Sequence, residues 1–160
     1  VTDDGEVYLT VDHNLTFYDK EGNENFSWKW QENGRRVHYF SITIDGSKGV
    51  AWLDMNWVDR SKAPKGKVIL FDRDGKILEV KKTEELGQFN RVSISPDGKY
   101  YGFNSRKGPR VFRTSDEKLV FSIEEEFPKS DNENFIDIGP DNMIVYNIRS
   151  KICCGKIGYK

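Results

Sequence analysis

The stretch Ser95-Pro96-Asp97-Gly98 brings a hydroxyl close to a carboxylate, the residue types of a nucleophile and its orienting group. A nucleophilic serine also needs a base within hydrogen-bond reach. The two histidines, His13 and His38, stand in no recognised catalytic spacing with Ser95, and Pro96 does not fit a G-x-S-x-G elbow. The sequence therefore predicts no catalytic residue here. It favours a turn, in which Asp accepts backbone hydrogen bonds, Pro presets φ and Gly takes a positive φ.

Metal-ligand patterns are equally weak. The run Asp131-Asn-Glu-Asn134 has the composition of a calcium loop but lacks the glycine and the terminal glutamate of an EF-hand. The adjacent Cys153 and Cys154 cannot supply a tetrahedral site unaided. On a strand their side chains would point to opposite faces, so we expect one buried thiol and one near the surface, while a strained disulfide between them stays open. We predict no metal and no cofactor.

The charge balance narrows the class of partner. The chain has 25 basic and 26 acidic residues, and nucleic-acid binders usually carry a clear basic excess, so we predict no nucleic-acid binding. No apolar run approaches the roughly 20 residues that span a bilayer, which predicts no membrane insertion. No signal peptide is visible, although the chain begins with Val1 rather than Met, which leaves a leader or an upstream domain open. The cellular compartment stays open.

A repeat runs through the chain. The stretch Val92–Phe103, which contains Ser95-Pro-Asp-Gly98, has relatives at Ile42–Gly46, at Ile136–Asn142 and, truncated, at Val1–Leu9. The closing Gly or Asn recurs at steps of 41, 52 and 44 residues. These closing residues are Gly5, Gly46, Gly98 and Asn142.

A second motif lies between these copies. It reads Phe17–Gly22, then Leu70–Gly75, then a worn Val111–Asp116, at steps of 53 and 41 residues. Two motifs interleaved at one shared period indicate a repeat protein. The residues predicted to hold the turns are Asp19, Gly22, Asp72, Gly75, Asp97 and Gly98.

Short β-branched and aromatic runs between these turns predict hairpins, about fourteen strands in all, and no convincing amphipathic helix. Four strands in roughly 40 to 45 residues are the unit of a β-propeller blade. We therefore predict one all-β domain over 1–160, with four-stranded antiparallel blades of β-propeller type and about three and a half blades in the chain. The predicted blades are 1–34 (partial), 35–82, 88–125 and 133–160 (partial). Such a chain would be a segment of a larger propeller, or a half that completes itself by self-association.

Two stretches carry a family resemblance. Ser95-Pro-Asp-Gly-Lys-Tyr100 followed by Val111-Phe112 resembles the WD-repeat-like blades of Tol-type periplasmic propellers. Leu70–Leu78 is similar to blades of the quinoprotein-dehydrogenase-like superfamily. The resemblance covers nearly the whole chain and implies a propeller fold, with an extracytoplasmic location slightly favoured.

The chain also departs from these families. The Trp-Asp dipeptide of WD repeats is replaced by Tyr18-Asp19, Phe71-Asp72 and Phe112-Arg113. Quinone-binding blades repeat a glycine-then-tryptophan pattern, for which Trp28 and Trp30 are the only candidates, so we do not expect a quinone.

The step of 52 residues marks an insertion. It exceeds its neighbours by about ten residues, and the excess reads Met55–Gly66. Loops on a rigid scaffold carry binding disproportionately, and Trp and Arg are typical interface hot spots. The alternative is that Trp57 packs the loop onto its own blade. The predicted binding residues, on the insertion and the neighbouring loops, are Trp57, Asp59, Arg60, Arg35, Arg36 and Arg106.

These features favour a non-catalytic interaction module that binds a protein or peptide on the loop face. One alternative is an enzyme, a hydrolase or a quinone-type oxidoreductase, with a channel site shared with blades outside this chain; it predicts titratable side chains converging on the axis. Another is a structural cell-envelope repeat protein.

Overall fold

The computed structural model describes residues 1–11, 14–28, 36–54, 66–82, 91–105, 108–123, 135–148 and 151–158. Fourteen strands run through these residues in four antiparallel sheets. The first sheet contains β1 (Val7–Val11), β2 (Asn14–Tyr18) and β3 (Glu24–Trp28). The second contains β4 (Arg36–Ile42), β5 (Lys48–Asp54), β6 (Gly66–Asp72) and β7 (Ile77–Lys82). The third contains β8 (Val92–Ile94), β9 (Tyr100–Ser105), β10 (Gly108–Arg113) and β11 (Leu119–Ser122). The fourth contains β12 (Ile136–Ile138), β13 (Met143–Ile148) and β14 (Lys151–Lys156).

Within each sheet the strands pair in chain order, so strands that follow one another in the sequence are antiparallel neighbours. The predicted fold class, all-β with propeller-type antiparallel blades, is confirmed. By position in the repeat, β1 of the first sheet corresponds to β5 of the second. In the same way, β14 of the fourth sheet corresponds to β6. The predicted blade limits stay predictions, because all the internal limits except the end at 82 fall in the links 29–35, 83–90 and 124–134, outside the described residues.

The sheets stack face to face through three apolar clusters. Side chains alternate along β5, so Ala51 and Leu53 face the first sheet while Val50 and Trp52 face the third. The second sheet is therefore buried on both faces. The first cluster contains Tyr8, Leu15, Phe17, Val37, Ala51, Leu53, Ile69 and Phe71. The second contains Val50, Trp52, Val68, Leu70, Val92, Ile94, Tyr101 and Phe103. The third contains Val111, Ile136, Ile138, Ile144, Tyr146 and Ile157.

The Ser95–Gly98 stretch is the turn between β8 and β9. The Ser95 hydroxyl donates to Asp97 Oδ1 at 2.8 Å and accepts the Tyr100 N–H at 3.0 Å. Asp97 Oδ1 also accepts the Lys99 N–H at 3.1 Å, and Gly98 takes a φ of +68°. Because the Ser95 hydroxyl makes both of these contacts and Ser95 is 2% exposed, this serine stabilises the turn.

The turn between β4 and β5 repeats this network. Thr43 Oγ1 donates to Asp45 Oδ1 at 2.7 Å and accepts the Lys48 N–H at 3.1 Å. Turns of successive sheets are also bonded to one another. The Asp3 N–H donates to the Ile44 carbonyl at 3.0 Å, and the Ile44 N–H donates to the Pro96 carbonyl at 3.4 Å. The repeated motif therefore closes hairpins and joins neighbouring sheets.

The second motif forms the turns that follow β2 and β6. Asp19 and Asp72 accept backbone N–H groups further along, and Gly22 and Gly75 take φ of +86° and +75°. The third copy, after β10, has no such aspartate or glycine.

In that third turn the carboxylate comes from another position. Asp116 accepts the Lys118 N–H at 3.2 Å and an Arg113 Nη1 hydrogen bond at 2.9 Å. Glu117 takes the positive φ, 57°, and its N–H reaches the Arg113 carbonyl one residue further back than in the glycine turns. This turn is thus one residue longer, and Asp116 supplies the carboxylate that Asp19 and Asp72 supply in the other two turns.

We expect the turn carboxylates to make stability fall at acid pH. The hydrogen bond from Lys99 lowers the pKa of Asp97 to about 2, and hydrogen bonds from Thr43 and Asn23 lower the pKa of Asp45 and Asp19. A carboxylate whose pKa is lower in the folded state than its unfolded value of 3.8 stabilises the fold at any pH above that value. This contribution is lost as the pH falls toward 2.

Urea midpoints measured between pH 5 and pH 2.5 should therefore fall with pH. The fall should be shallower in Asp97→Asn, which keeps an oxygen acceptor but does not titrate. Identical acid limbs for the two proteins would contradict this role of Asp97.

Candidate functional site

The first strands of the second, third and fourth sheets, β4, β8 and β12, form the inner edge of the stack. A groove of about 610 Å³ crosses them, and we call it the inner-strand groove. It is lined by Tyr39, Phe40, Ser41, Arg91, Val92, Ser93, Phe135, Ile136, Asp137 and Val145. In a β-propeller this edge faces the central axis.

The groove is built from equivalent positions of three repeats. Strand register pairs Ile42 with Gly49, Ile94 with Tyr101 and Ile138 with Ile144, so the residues before each isoleucine also correspond. The position just before the isoleucine holds a hydrogen-bonding residue, and the position three before it holds a large side chain. The hydrogen-bonding set is Ser41, Ser93 and Asp137. The set of large side chains is Tyr39, Arg91 and Phe135.

The polar set links the inner strands in series. Ser41 Oγ accepts the Ile94 N–H at 3.3 Å, and Ser93 Oγ accepts the Ile138 N–H at 3.1 Å. Ser93 also donates to Asp137 Oδ1 at 2.8 Å. Each hydroxyl therefore binds a backbone group of the next sheet, and these bonds fix the groove floor.

The Ser93–Asp137 pair has the residue types of a catalytic dyad but is not arranged as one. Ser93 is 3% exposed and already bonds an amide and a carboxylate. Within the described residues that line the groove, Arg91 and Asp137 are the only charged side chains, and no imidazole is among them. Across the described chain no group of three His, Cys, Asp or Glu side chains could hold a metal ion.

The groove walls are aromatic. Tyr39 is 43% exposed and stacks on Trp52 with ring centroids 6.3 Å apart, while Phe40 and Phe135 are half-buried. Arg91 is exposed. Aromatic surface with a few fixed charges suits an apolar segment that carries polar groups.

The binding residues predicted from sequence lie outside this description. Trp57, Asp59, Arg60, Arg35 and Arg106 fall outside the described residues. Arg36 is the first residue of β4, and nothing is described of its side chain. These residues therefore stay a prediction.

Of the histidines, the acidic run and the cysteines considered in the sequence, only some lie among the described residues. His13 and the run 131–134 lie outside the described residues, and His38 lies in β4 with its side chain undescribed. Cys153 is half-buried against the third cluster and Cys154 is exposed, and both thiols are free.

Sequence reasoning missed Tyr39, Phe40 and Phe135. A signal was available, because Tyr39, Arg91 and Phe135 each stand three residues before the isoleucine of a repeat. Extending the repeat alignment upstream of that isoleucine brings these side chains into one column, at the same steps of 52 and 44 residues as the closing Gly or Asn. Among the described residues no helix is long and apolar enough to cross a membrane.

No protein-family model and no curated protein matches the chain. Among solved structures, one similar chain comes from the complex of KlAtg21 with the coiled-coil of AgAtg16, with a TM-score of 0.68 and 18% identity over 96% of this chain and 50% of that one. Another comes from Kuenenia stuttgartiensis hydrazine synthase, with a TM-score of 0.66 and 14% identity over 98% of this chain and 51% of that one. The chain spans about half the length of each. At these identities the likeness shows the fold alone: this chain has a β-propeller-type fold.

Proposed function

We propose that this chain is a non-catalytic interaction module that binds a segment of a partner protein in the inner-strand groove. The observation that carries the proposal is the groove itself, with half-exposed aromatic walls over a floor fixed by Ser41 and Ser93. A preformed concave site of this size binds a ligand with little ordering cost.

The charges of the groove indicate the chemistry of the partner. Arg91 is exposed beside aromatic surface, where it suits a carboxylate or a carbonyl of the bound segment. Asp137 is exposed and keeps one oxygen beyond its bond to Ser93, which suits a donor. A peptide with apolar side chains and polar backbone groups fits both requirements.

The enzyme alternative requires titratable groups that converge on the axis. Among the described residues of the groove, one carboxylate and one guanidinium reach it, and the carboxylate is hydrogen-bonded to a buried serine. This arrangement supports binding over hydrolysis. The similar KlAtg21 structure is a complex with a coiled-coil, and that likeness is compatible with a protein partner.

The test is a peptide selected from a displayed random library on the immobilised chain. Tyr39→Ala and Arg91→Ala should each weaken its binding about tenfold or more, as expected for interface hot spots. The matched control is Leu119→Ala on β11, because Leu119 and Tyr39 are both 43% exposed. Equal affinities for all four proteins would overturn the groove proposal.

The same peptide separates the groove from the loop face predicted from sequence. Trp57→Ala with Arg60→Ala should weaken binding, with little change in melting temperature, if Met55–Gly66 contributes to the same surface. Loss of binding in this double variant, with no effect of Tyr39→Ala or Arg91→Ala, would move the site to the insertion.

A further inference from the structure

The sequence contains four Asp-Gly pairs, and all four lie in turns of one backbone geometry. In each turn the glycine N–H donates to the carbonyl three residues before it, at 2.9 to 3.1 Å. The four glycines take positive φ between +68° and +84°. The pairs are Asp4-Gly5, Asp45-Gly46, Asp74-Gly75 and Asp97-Gly98. Because the backbone is the same, differences in reactivity between the pairs come from the surroundings of the aspartate side chains.

Hydrogen bonds hold two of the four carboxylates. Asp97 Oδ1 accepts the Ser95 hydroxyl at 2.8 Å and the Lys99 N–H at 3.1 Å, and Asp97 Oδ2 lies 2.8 Å from Lys99 Nζ. Asp45 Oδ1 accepts the Thr43 hydroxyl at 2.7 Å and a backbone N–H at 3.0 Å. The bond from Lys99 lowers the pKa of Asp97 to about 2, and the bond from Thr43 lowers the pKa of Asp45. Both carboxyls are therefore fixed in place and kept ionised.

The carboxyl of Asp74 is not held in this way. The amides of its turn are bound by Asp72, which accepts the Asp74 N–H at 3.2 Å and the Lys76 N–H at 2.9 Å. Among the described residues the exposed Asp74 side chain has no hydrogen-bond or ion-pair partner. The remaining aspartate, Asp4, has its Oδ2 3.9 Å from Arg73 Nη2. Asp74 is thus the one aspartate of the four Asp-Gly pairs whose carboxyl is free to turn toward the following glycine.

We propose that Asp74-Gly75 is a site of spontaneous isoaspartate formation, and that the hydrogen bonds of Asp45 and Asp97 protect the equivalent pairs. The Gly75 nitrogen attacks Cγ of the protonated Asp74 carboxyl, a C–N bond forms, and the amide proton leaves with the carboxyl OH as water. The product is a five-membered succinimide. Water then breaks the original peptide bond between Asp74 and Gly75, so the main chain runs through Cγ and the α-carboxyl becomes free. Glycine favours the closure because it has no Cβ to hinder the attack.

The modification would reach the contact between the first and second sheets. Trp28 Nε1 donates to the Gly75 carbonyl at 3.1 Å, and a Cβ on Gly75 would lie 2.7 Å from the ring of Phe26. The Gly75 backbone is therefore packed closely against the first sheet. Isoaspartate adds one methylene to the main chain directly before Gly75, which displaces both contacts.

The test is incubation of the folded chain near neutral pH over several weeks. Isoaspartate is measured at each pair by digestion with an endoproteinase that cleaves before aspartate but not before isoaspartate. Asp74 should convert at least about tenfold faster than Asp97, because each unit by which a pKa falls lowers the protonated fraction tenfold. In urea Asp45, Asp74 and Asp97 should convert at similar rates. Equal rates in the folded chain, or the same difference in urea, would overturn the proposal.

Two variants separate protection from consequence. Lys99→Met removes the bond that lowers the pKa of Asp97 most, at an exposed side chain, so it should raise isoaspartate at Asp97 and leave Asp74 unchanged. Asp74→Glu should block the reaction at this turn, because its longer side chain would have to close a six-membered ring. After equal incubation the urea midpoint of the wild type should fall and that of Asp74→Glu should not. An unchanged midpoint in wild type that has converted at Asp74 would contradict the effect on the sheet contact.

Discussion

Replacing Gly49 by alanine is expected to lower the free energy of unfolding by about 2 to 3 kcal/mol, the cost typical of an overpacked core. A Cβ at Gly49 would overlap the ring of Phe71, which is fully buried. The ring cannot move aside easily, because Trp28 packs edge-on against it with centroids 4.6 Å apart. Urea unfolding followed by Trp fluorescence measures the effect.

Gly155→Ala is the matched control for this substitution. Gly155 also lies in a strand beside an aromatic ring, but its added Cβ would be 3.5 Å from Phe121, an ordinary contact. We expect a loss below about 1 kcal/mol there, the ordinary cost of a glycine-to-alanine change without overlap. Equal losses at Gly49 and Gly155 would show that the packing of Phe71 is not the cause.

Replacing Tyr101 by alanine is expected to cost about 3 to 4 kcal/mol, since a buried aromatic side chain is lost between two sheets. Tyr101 is 1% exposed and stacks on Phe112 with centroids 5.6 Å apart. Burial also raises the pKa of its hydroxyl. Tyr101 holds in β9 the repeat position that Gly49 holds in β5. The ring at this position therefore comes from Phe71 of β6 in the second sheet and from Tyr101 of β9 in the third.

Tyr101→Phe separates packing from hydrogen bonding. Among the described residues the Tyr101 hydroxyl has no hydrogen-bond partner, so its removal should change stability by less than about 0.5 kcal/mol. Paired thermal and urea unfolding of the two variants gives the comparison. A large loss in Tyr101→Phe would mean that the hydroxyl, and not the ring, stabilises this site.

The turn motifs made most of the fold predictable. Asp97 and Gly98 act through bonds within six residues, Ser95 to Tyr100, so the local sequence carries the information. The replacement of the turn aspartate by Asp116 was not predictable from the motif, because a positive φ at Glu117 let the turn lengthen by one residue.

The candidate site was less accessible to sequence reasoning. Tyr39, Arg91 and Phe135 are separated by 52 and 44 residues and meet only because the sheets stack. The sequence instead directed attention to Trp57 in the longest interval between repeats. That prediction stays untested, because its residues lie outside the described part of the chain.

We expect a partner segment to bind across β4, β8 and β12. The direct measurement is backbone-amide chemical-shift mapping of the isotope-labelled chain with a peptide selected from the displayed library. The largest shifts are expected at residues 39–42, 91–94 and 135–138, with smaller ones on the outer strands β7 and β11. Shifts confined to the outer strands, with these three inner segments unchanged, would contradict binding in the inner-strand groove.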